Sequence, residues 1–319
     1  MERVQRGGSA QAASGASRPI AAPRAPRAPK TLTVFTPTYN RAYKIGDLYR
    51  SLVAQTSRDF VWLVVDDGST DGTRDLIEGF CAEGEIEIDY LWQENGGKAR
   101  AHNTGVERCA TELFFTVDSD DTLVPDAVEA VIDAWRGHEG DGSLAGVIAM
   151  RGRDARTPIL DRFPAGMERT TVWDLWYRRR CKGDPALIYR TDVLRRYPFW
   201  VAPGERFMGE AYVYFQIDQD YELLVLPRIL WITRYLPDGY TAHVRQIARE
   251  NPVSYMALNK LRVDLADTLP LRFEAAILYL VAAHFAGRFS EAFRALPSRS
   301  LALAAAPGAW LLWNTEFRR

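Results

Sequence analysis

The segment from Thr31 to about Met150 alternates regularly between short apolar runs and segments with helical periodicity. Apolar runs rich in β-branched residues predict strands, and apolar residues three and four positions apart predict helices. Strands are therefore expected at 31–36, 61–65, 86–92, 113–117 and 144–150, and helices at 45–55, 73–81, 99–109 and 125–135. This order predicts an α/β fold with a mainly parallel central sheet and helices on both faces.

The rest of the chain has a less regular pattern. We expect strands at 187–189, 221–226 and 229–235, a helix at 208–217, and helices in a rather basic region from 241. Residues 1–30 are basic and rich in Ala and Pro, which is typical of a disordered tail. The predicted organisation is this tail, one domain over 31–240 with halves at 31–126 and 127–240, and a helical C-terminal extension over 241–319.

Charge and cysteine usage exclude some classes of function. The formal net charge is −1, so no overall field favours nucleic acid. The cysteines Cys81, Cys109 and Cys181 have no paired spacing and suit a reducing compartment, which predicts a cytoplasmic protein. The sequence has no uninterrupted apolar stretch of the length that predicts a membrane span.

Polar motifs follow each of the first four predicted strands, at the position where parallel sheets bind ligands. The first motif contains Thr36, Pro37, Tyr39 and Asn40. Tyr39 can stack on a planar base, and Asn40 can cap the next helix. The alternative explanation is a plain strand-to-helix turn.

Two adjacent acids, Asp66 and Asp67, follow the second predicted strand. A carboxylate at a strand tip can accept hydrogen bonds from a ribose or from a base N–H group. The first strand is not followed by G-x-G-x-x-G, so a dinucleotide cofactor is not expected. A turn with Asp71 as helix cap explains one acid, but two more are surplus to it.

The third motif combines glycines with basic residues at the start of a predicted helix. Gly96 and Gly97 allow the backbone to approach a ligand closely, and Lys98, Arg100 and Asn103 follow them. Cations and free N–H groups at a helix N-terminus favour a phosphate. A loop followed by a solvated basic helix face is the alternative.

The fourth motif is an acidic cluster, Asp118, Ser119, Asp120 and Asp121, at the end of an apolar strand. Adjacent carboxylates together with substrate phosphate oxygens suit Mg²⁺ or Mn²⁺. Asp120 and Asp121 lie furthest past the strand and are the predicted metal ligands. The alternative is an acidic N-terminus for the helix that begins near Pro125, but one acid would serve that purpose.

Together these motifs resemble the donor half of family 2 glycosyltransferases, which have the GT-A type of nucleotide-sugar fold. The resemblance covers 31 to about 126, and its matching residues are Thr36-Pro37-Thr38-Tyr39-Asn40, Val65 to Asp71, Asn95-Gly96-Gly97, Arg100 to Gly105, and Asp118-Ser119-Asp120-Asp121 before Pro125-Asp126. It implies that Asp66 or Asp67 contacts uracil or ribose and that the acidic cluster is the D-x-D metal motif. Asp118 and Ser119 are then expected to contact the donor.

The activity implied by this resemblance is transfer of a sugar, with inversion, from a nucleotide-sugar to a glycan or lipid-linked acceptor. A UDP-sugar is the expected donor, Mn²⁺ or Mg²⁺ the expected cofactor, and bacterial surface polysaccharide biosynthesis the expected setting. A nucleotidyltransferase is the second hypothesis, although the first loop lacks the glycine-rich basic pattern of that class. A catalytically inactive nucleotide-sugar-binding or scaffold protein is the third.

In this family the general base often comes from an acidic pair that begins a helix. The matching stretch here runs from Phe207 to Tyr212, and Ala211 replaces the second acid of the pair. Glu210 is therefore the expected base. Glu205, Asp218 and Asp220 are the alternatives.

Three features of the second half leave their roles open. The aromatic residues Trp173, Trp176, Tyr177, Tyr197, Phe199 and Trp200 either line an acceptor groove or fill the core. The stretch Asp238-Gly239-Tyr240 forms either a lid over the diphosphate or a helix cap. The Leu-, Ala- and Arg-rich helices from 269 either lie on the inner face of a membrane or pack on the catalytic domain.

Overall fold

The computed structural model describes residues 30–233 and 244–317. The expected tail, apart from its last residue, and the stretch Asp238-Gly239-Tyr240 lie outside these ranges. Within them, no helix is long and apolar enough to cross a membrane.

A nine-stranded mixed sheet forms the centre of the fold, in the order β3-β2-β1-β4-β8-β6-β9-β5 with β7 beside β9. Its strands are β1 (Leu32–Thr38), β2 (Phe60–Asp66), β3 (Ile88–Trp92), β4 (Leu113–Thr116), β5 (Thr122–Leu123), β6 (Leu144–Gly152), β7 (Arg169–Thr170), β8 (Pro185–Arg190) and β9 (Glu222–Ile232). The first four strands along the chain pair in parallel. This confirms the predicted α/β fold with its mainly parallel sheet.

Strand direction brings distant parts of the chain to one edge of the sheet. β8 is antiparallel to both β4 and β6, and β9 is parallel to β6. Consequently β1, β2, β4, β6 and β9 all end at the same edge, and β8 begins there. Ligands of open α/β sheets bind outside such an edge.

Helices cover both faces of the sheet and bury two apolar cores. On one face lie α1 (Ile45–Val53), α2 (Thr73–Glu83) and α4 (Ala127–Trp135); on the other lie α3 (Lys98–Arg108), α5 (Thr191–Arg196) and α6 (Ala211–Ile217). In α1 the residues Ile45, Leu48 and Leu52 are fully buried, because their spacing places them on one face. Each such side chain contributes about 1.5–3 kcal/mol to the stability of the folded state.

The C-terminal region is helical, as predicted. It comprises α7 (Val244–Glu250), α8 (Pro252–Leu265), α9 (Leu269–Phe285), α10 (Phe289–Ala295) and α11 (Arg299–Leu312), followed by a π-helical turn at Trp313–Phe317. α9 packs against α8, α10 and α11 around a third core that includes Tyr279 and Leu280. The side of α8 that carries Leu258 and Leu261 packs on the catalytic core instead, which ties the extension to the sheet.

The sequence pattern was wrong about the last strand. Residues 221–226 and 229–235 were expected as two strands separated by Pro227, but β9 is continuous from Glu222 to Ile232. The pairing of β9 with β6 shifts register between Ile148 and Met150, so Pro227 lies at a bulge where no ladder hydrogen bond is needed. The short strands β5 and β7, helix α5 and a π-helical turn at Asp174–Arg178 were not predicted.

Candidate functional site

A cavity of about 900 Å³ opens at the edge where the strands end. The ends of several strands, the loop before α6 and the helix α7 contribute to its lining. Four sequence motifs meet in its wall, since Pro37, Tyr39, Asp67, Gly97 and Lys98 line it. The acidic cluster and Glu210 line it as well.

The loops after β1 and β2 are tied to each other. Asn40 has a positive φ of 52°, a conformation that asparagine tolerates better than most residues. Its side-chain oxygen accepts a hydrogen bond from the backbone N–H of Thr70 at 2.8 Å, and its own N–H donates to Ser69 Oγ at 2.8 Å. Asn40 therefore does not cap α1, which was one expectation, but joins two strand tips.

Asp66 and Asp67 have different roles in the structure. Asp66 is fully buried and accepts hydrogen bonds from Tyr90 Oη and from the Ser69 N–H, both at 2.7 Å. Asp67 lines the cavity and shapes the glycine loop, because its carboxylate accepts the Gly96 N–H at 2.9 Å and the Gly97 N–H at 2.7 Å. The pair thus fixes the backbone on which a ligand would rest.

Gly97 is required by close packing. It has a φ of 92°, and a Cβ atom added there would lie 1.8 Å from the carbonyl oxygen of Arg206. Any side chain would push the glycine loop away from the segment that precedes α6. This contact joins the donor half of the cavity to the second half.

Lys98, the first residue of α3, links two carboxylates across the cavity. Its Nζ lies 2.6 Å from Oδ1 of Asp118 and 2.7 Å from Oε1 of Glu210. Burial disfavours the charged ammonium, but the two carboxylates overcome this effect and raise the pKa of Lys98. Burial raises the pKa of Glu210, but the positive charges of Lys98 and Arg151 outweigh burial and lower this pKa to about 2.

The acidic cluster presents its members unequally. Asp120 is half-buried, and burial together with the neighbouring Asp118 carboxylate raises its pKa. Asp121 is buried, and Trp231 Nε1 donates to its Oδ2 at 2.6 Å. Ser119 is also buried and lines the cavity. A cation near Asp120 would relieve the repulsion that raises its pKa.

Other predicted binding residues stand behind the cavity wall and hold it. Thr36 is buried and accepts a hydrogen bond from Trp62 Nε1. Arg100 donates to the carbonyl groups of Gly96 and Glu205, each at 2.7 Å. Asn103 exchanges two hydrogen bonds with the backbone of Phe199.

The alternative bases are engaged elsewhere. Glu205 accepts the N–H groups of Val253 and Ser254 at 2.7 Å, at the beginning of α8. Asp218 accepts the Trp173 N–H, and Asp220 accepts Tyr197 Oη at 2.5 Å. Among the four acids considered, Glu210 is the one in the cavity lining.

Two titratable residues of the cavity, His102 and Arg151, were given no role by the sequence analysis. Burial lowers the pKa of His102 to about 4, so its ring is neutral, and its Nδ1 is buried without a partner among the described residues. The Arg151 guanidinium lies 3.5 Å from the centre of the Trp231 ring. Both had signals in the sequence: His102 is one helical turn after Lys98, and Arg151 directly follows the apolar segment 144–150 as Asp118 follows 113–117.

The aromatic residues divide between core and cavity. Trp173 is buried, and it packs with Tyr177 around Phe215. Trp176 and Phe199 line the cavity. Trp200 is exposed, and Tyr197 donates a hydrogen bond to Asp220 away from the site.

The sheet order and the acid-lined cavity at the strand ends are those of the GT-A type of fold. Two solved structures share the fold. The mannosyltransferase PcManGT from Pyrobaculum calidifontis, in complex with GDP-Man and Mn²⁺, has a TM-score of 0.54 at 20% identity, covering 91% of this chain and 84% of that one. Staphylococcus aureus TarS 1-349 in complex with UDP has a TM-score of 0.51 at 19% identity, covering 88% of each chain.

Sequence comparison shows the family to which the chain belongs. Residues 33–197, more than half of the chain, match the model of Glycosyl transferase family 2. The chain belongs to this family. A curated relative is the validoxylamine A glucosyltransferase of Streptomyces hygroscopicus, 33% identical over 144 residues, which are 42% of this chain and 33% of that protein.

The similarity to curated relatives is confined to part of their length. The chain spans 38% and 40% of two of them. It spans 28% of the poly(ribitol-phosphate) beta-N-acetylglucosaminyltransferase TarS of Staphylococcus aureus, with 28% identity over 165 residues.

Proposed function

We propose that this chain is an inverting, metal-dependent glycosyltransferase that moves a sugar from a UDP-sugar to a glycan or lipid-linked acceptor. The observation that carries the proposal is the meeting of Asp67, Lys98, Asp120 and Glu210 in one cavity of about 900 Å³. Family membership supports the reaction class. Surface polysaccharide biosynthesis is the proposed setting, because TarS is by its name a poly(ribitol-phosphate) modifying enzyme.

The donor is proposed to lie along the first half of the cavity. Tyr39 is 49% exposed at the end of the first strand and is placed to stack on a base. Lys98, with the glycine loop at the beginning of α3, suits the diphosphate, since free N–H groups and cations attract phosphate there. Asp118 and Ser119 are the proposed contacts to ribose or sugar, and UDP is favoured because TarS 1-349 was solved with UDP.

A divalent cation fits the acidic cluster as the partner of a diphosphate. The described residues hold no group of three or more His, Cys, Asp or Glu side chains spaced for a metal ion. Mg²⁺ and Mn²⁺ sites of substrate phosphates typically use one or two carboxylates. Asp120 and Asp121 would hold the ion, with Trp231 orienting Asp121. When bound, the cation would neutralise the leaving diphosphate.

Glu210 is proposed to act on the acceptor. The acceptor hydroxyl oxygen forms a bond to the anomeric carbon from the face opposite the diphosphate. The bond from that carbon to the diphosphate oxygen breaks, and its electron pair leaves with UDP. The hydroxyl proton passes to the Glu210 carboxylate. Displacement from the opposite face inverts the anomeric centre.

The test is turnover by the purified full chain. UDP-sugars and other nucleotide-sugars are supplied with acceptor extracts, with Mn²⁺ or with a chelator, and UDP release and product configuration are measured. Metal-dependent release of UDP and an inverted product are expected. A retained configuration would contradict the mechanism, and nucleotide binding without turnover across the panel would favour a binding or scaffold protein.

We also propose that α11 contacts an anionic membrane surface. Leu303, Trp310 and Leu311 are 60, 68 and 58% exposed, and the sequence between Arg299 and Glu316 carries no charged residue. Arg294 and Arg299 are exposed beside the beginning of this helix. An exposed tryptophan and leucines flanked by arginines suit a lipid interface with anionic headgroups.

Vesicle flotation tests this contact with the full chain. Wild type is expected to float with vesicles containing anionic lipid, and the triple variant Leu303→Ser, Trp310→Ser, Leu311→Ser is expected to remain at the bottom. A control variant replaces Tyr43 and Trp200, two exposed aromatic residues outside α11, by serine, and should float as wild type does. Equal flotation of both variants would remove the proposal, and concentration-dependent dimerisation of wild type alone would assign the surface to a second copy.

A further inference from the structure

Lys98 joins the proposed donor site to the proposed base through two ion pairs. Three elements meet at its ammonium group: Asp118 comes from the end of β4, Glu210 from the beginning of α6, and Lys98 itself begins α3. Both N–O distances are those of full ion pairs, 2.6 and 2.7 Å. Glu210 also accepts a hydrogen bond from Tyr214 Oη at 3.2 Å.

This arrangement makes Glu210 a weak base. Burial raises the pKa of Glu210, but the charge of Lys98 outweighs burial and lowers this pKa to about 2. Glu210 therefore has little tendency to take a proton from a hydroxyl group near neutral pH. General bases work best when their pKa lies near the working pH. The base therefore has to lose its cation before it can act well.

We propose that Lys98 is a donor-operated lock on Glu210: it pairs with Glu210 when no donor is bound and moves to the diphosphate when the donor binds. This inference rests on the proposed function of the same site. Lysine suits the task because a flexible four-carbon stem carries its point charge. The exchange replaces one of the two carboxylate partners, Glu210, by a diphosphate of higher negative charge, while Asp118 can stay paired with Lys98.

The groups that remain around Glu210 favour proton uptake after this exchange. Burial raises its pKa, and Tyr189 and Tyr214 are neutral neighbours whose own pKa values are raised, first by burial. His102, on the same helix as Lys98, is neutral because burial lowers its pKa to about 4. Arg151 remains as the positive charge that lowers the pKa of Glu210. The base thus becomes competent when a donor is present to react.

The consequence is a proton linked to nucleotide binding. Lys98 stays protonated in both states, because its pKa is raised by its partners even though burial opposes this. Glu210 is ionised in the free protein and gains proton affinity in the complex. Binding should therefore take up protons in weakly acidic solution and much less at pH 8.

Calorimetry with UDP and Mn²⁺ tests the lock. Titrations at pH 6 in two buffers of different ionisation enthalpy give the number of protons taken up on binding. Wild type is expected to take up about 0.3–1 proton more than Glu210→Gln. Protons exchanged by the metal site or by UDP itself are common to both proteins and cancel in this difference.

Lys98→Met is the second variant. It is expected to bind UDP more weakly and to lose the extra proton uptake, because Glu210 then has no ammonium partner to lose when UDP binds. Equal proton uptake by wild type and Glu210→Gln, with UDP bound by both, would overturn the lock and leave the proposed donor site intact. Failure of wild type to bind UDP would overturn the proposed donor class and the lock with it.

Discussion

The two sides of the cavity are built differently. On the donor side, main-chain hydrogen bonds fix the wall: Asp67 holds the N–H groups of Gly96 and Gly97, and Asn40 joins two strand tips. On the other side, charged side chains form the wall, with Glu210 paired to Lys98 and Arg151 stacked on Trp231. The first wall is held by main-chain hydrogen bonds, and the second contains the ion pair for which we propose a change of partner.

This difference assigns different work to acids that look alike in the sequence. Asp66 and Asp67 use their carboxylates to hold backbone N–H groups, whereas Asp120 and Glu210 line the cavity and have pKa values shifted in opposite directions. A substitution on the hydrogen-bonded side should therefore damage the structure first. One on the ionic side should damage chemistry first and leave the fold in place.

Glu210→Gln should have the largest effect. Loss of the proposed base is expected to lower kcat about 10³-fold, within the range of general-base contributions, while UDP binding is preserved. Steady-state kinetics with the active donor measure this effect. Asp220→Asn is the control, because Asp220 accepts from Tyr197 outside the cavity. A wild-type kcat in Glu210→Gln would show that another group acts as the base.

Asp120→Asn should have the next largest effect. Removal of one carboxylate from the proposed metal site is expected to lower kcat/KM about 10²-fold and to raise the Mn²⁺ concentration needed for half-maximal rate. A Mn²⁺ titration of the initial rate measures both. Asp126→Asn is the control, since Asp126 pairs with Arg228 at the surface. An unchanged Mn²⁺ requirement would exclude Asp120 as a ligand.

Gly97→Ala should break the hydrogen-bonded side. The added Cβ would meet the Arg206 carbonyl, so the free energy of unfolding is expected to fall by about 2 kcal/mol or more and UDP binding to weaken. Gly137→Ala is a matched control: its φ of 88° is also positive, but no atom lies within 4 Å of the added Cβ. Urea unfolding measures both variants. Equal losses would show that backbone strain alone matters at Gly97.

Asp218→Asn should have the smallest effect, seen as a change in pH dependence. Burial raises the pKa of Asp218 to about 7, and its Oδ1 has no partner in the described part of the chain. The folded state then binds more protons than the unfolded state between about pH 4 and 7, so Asp218 lowers stability as pH rises through this window.

The Asp218→Asn variant should lose this pH dependence. Its free energy of unfolding, relative to that of wild type, should increase by about 1–2 kcal/mol between pH 5 and pH 8. Urea unfolding at the two pH values measures the gain, with the exposed Asp220→Asn as control. A constant difference between variant and wild type at both pH values would contradict the raised pKa.

The donor side was largely predictable from sequence, because its elements are local. Each strand is a short apolar run, and a polar loop follows it directly, so Asp67, Lys98 and Asp120 were predicted as site residues by position alone, and all three line the cavity. Glu210 was found through family resemblance rather than periodicity. The strand order cannot be read from the local sequence pattern. Because β8 is antiparallel to both β4 and β6, β6 runs parallel to β4 and carries Arg151 to the same edge of the sheet, and this is why Arg151 was missed.

The roles of the predicted residues were harder to foresee than their positions. Thr36, Arg100 and Asn103 were expected to contact the donor, but their partners are residues far along the chain, such as Phe199 and Glu205. Long-range hydrogen bonds of this kind leave no signature in neighbouring residues. The Lys98–Glu210 pair, 112 positions apart, is the clearest case.

Calorimetric titration of UDP into the full chain, with and without Mn²⁺, tests the central claim most directly. Wild type and Glu210→Gln are expected to bind UDP in a Mn²⁺-dependent manner, and Asp120→Asn is expected to lose that dependence together with most of its affinity. Failure of wild type to bind UDP, or binding by Asp120→Asn that matches wild type with and without Mn²⁺, would contradict the assignment of this cavity as a metal-dependent nucleotide-sugar site.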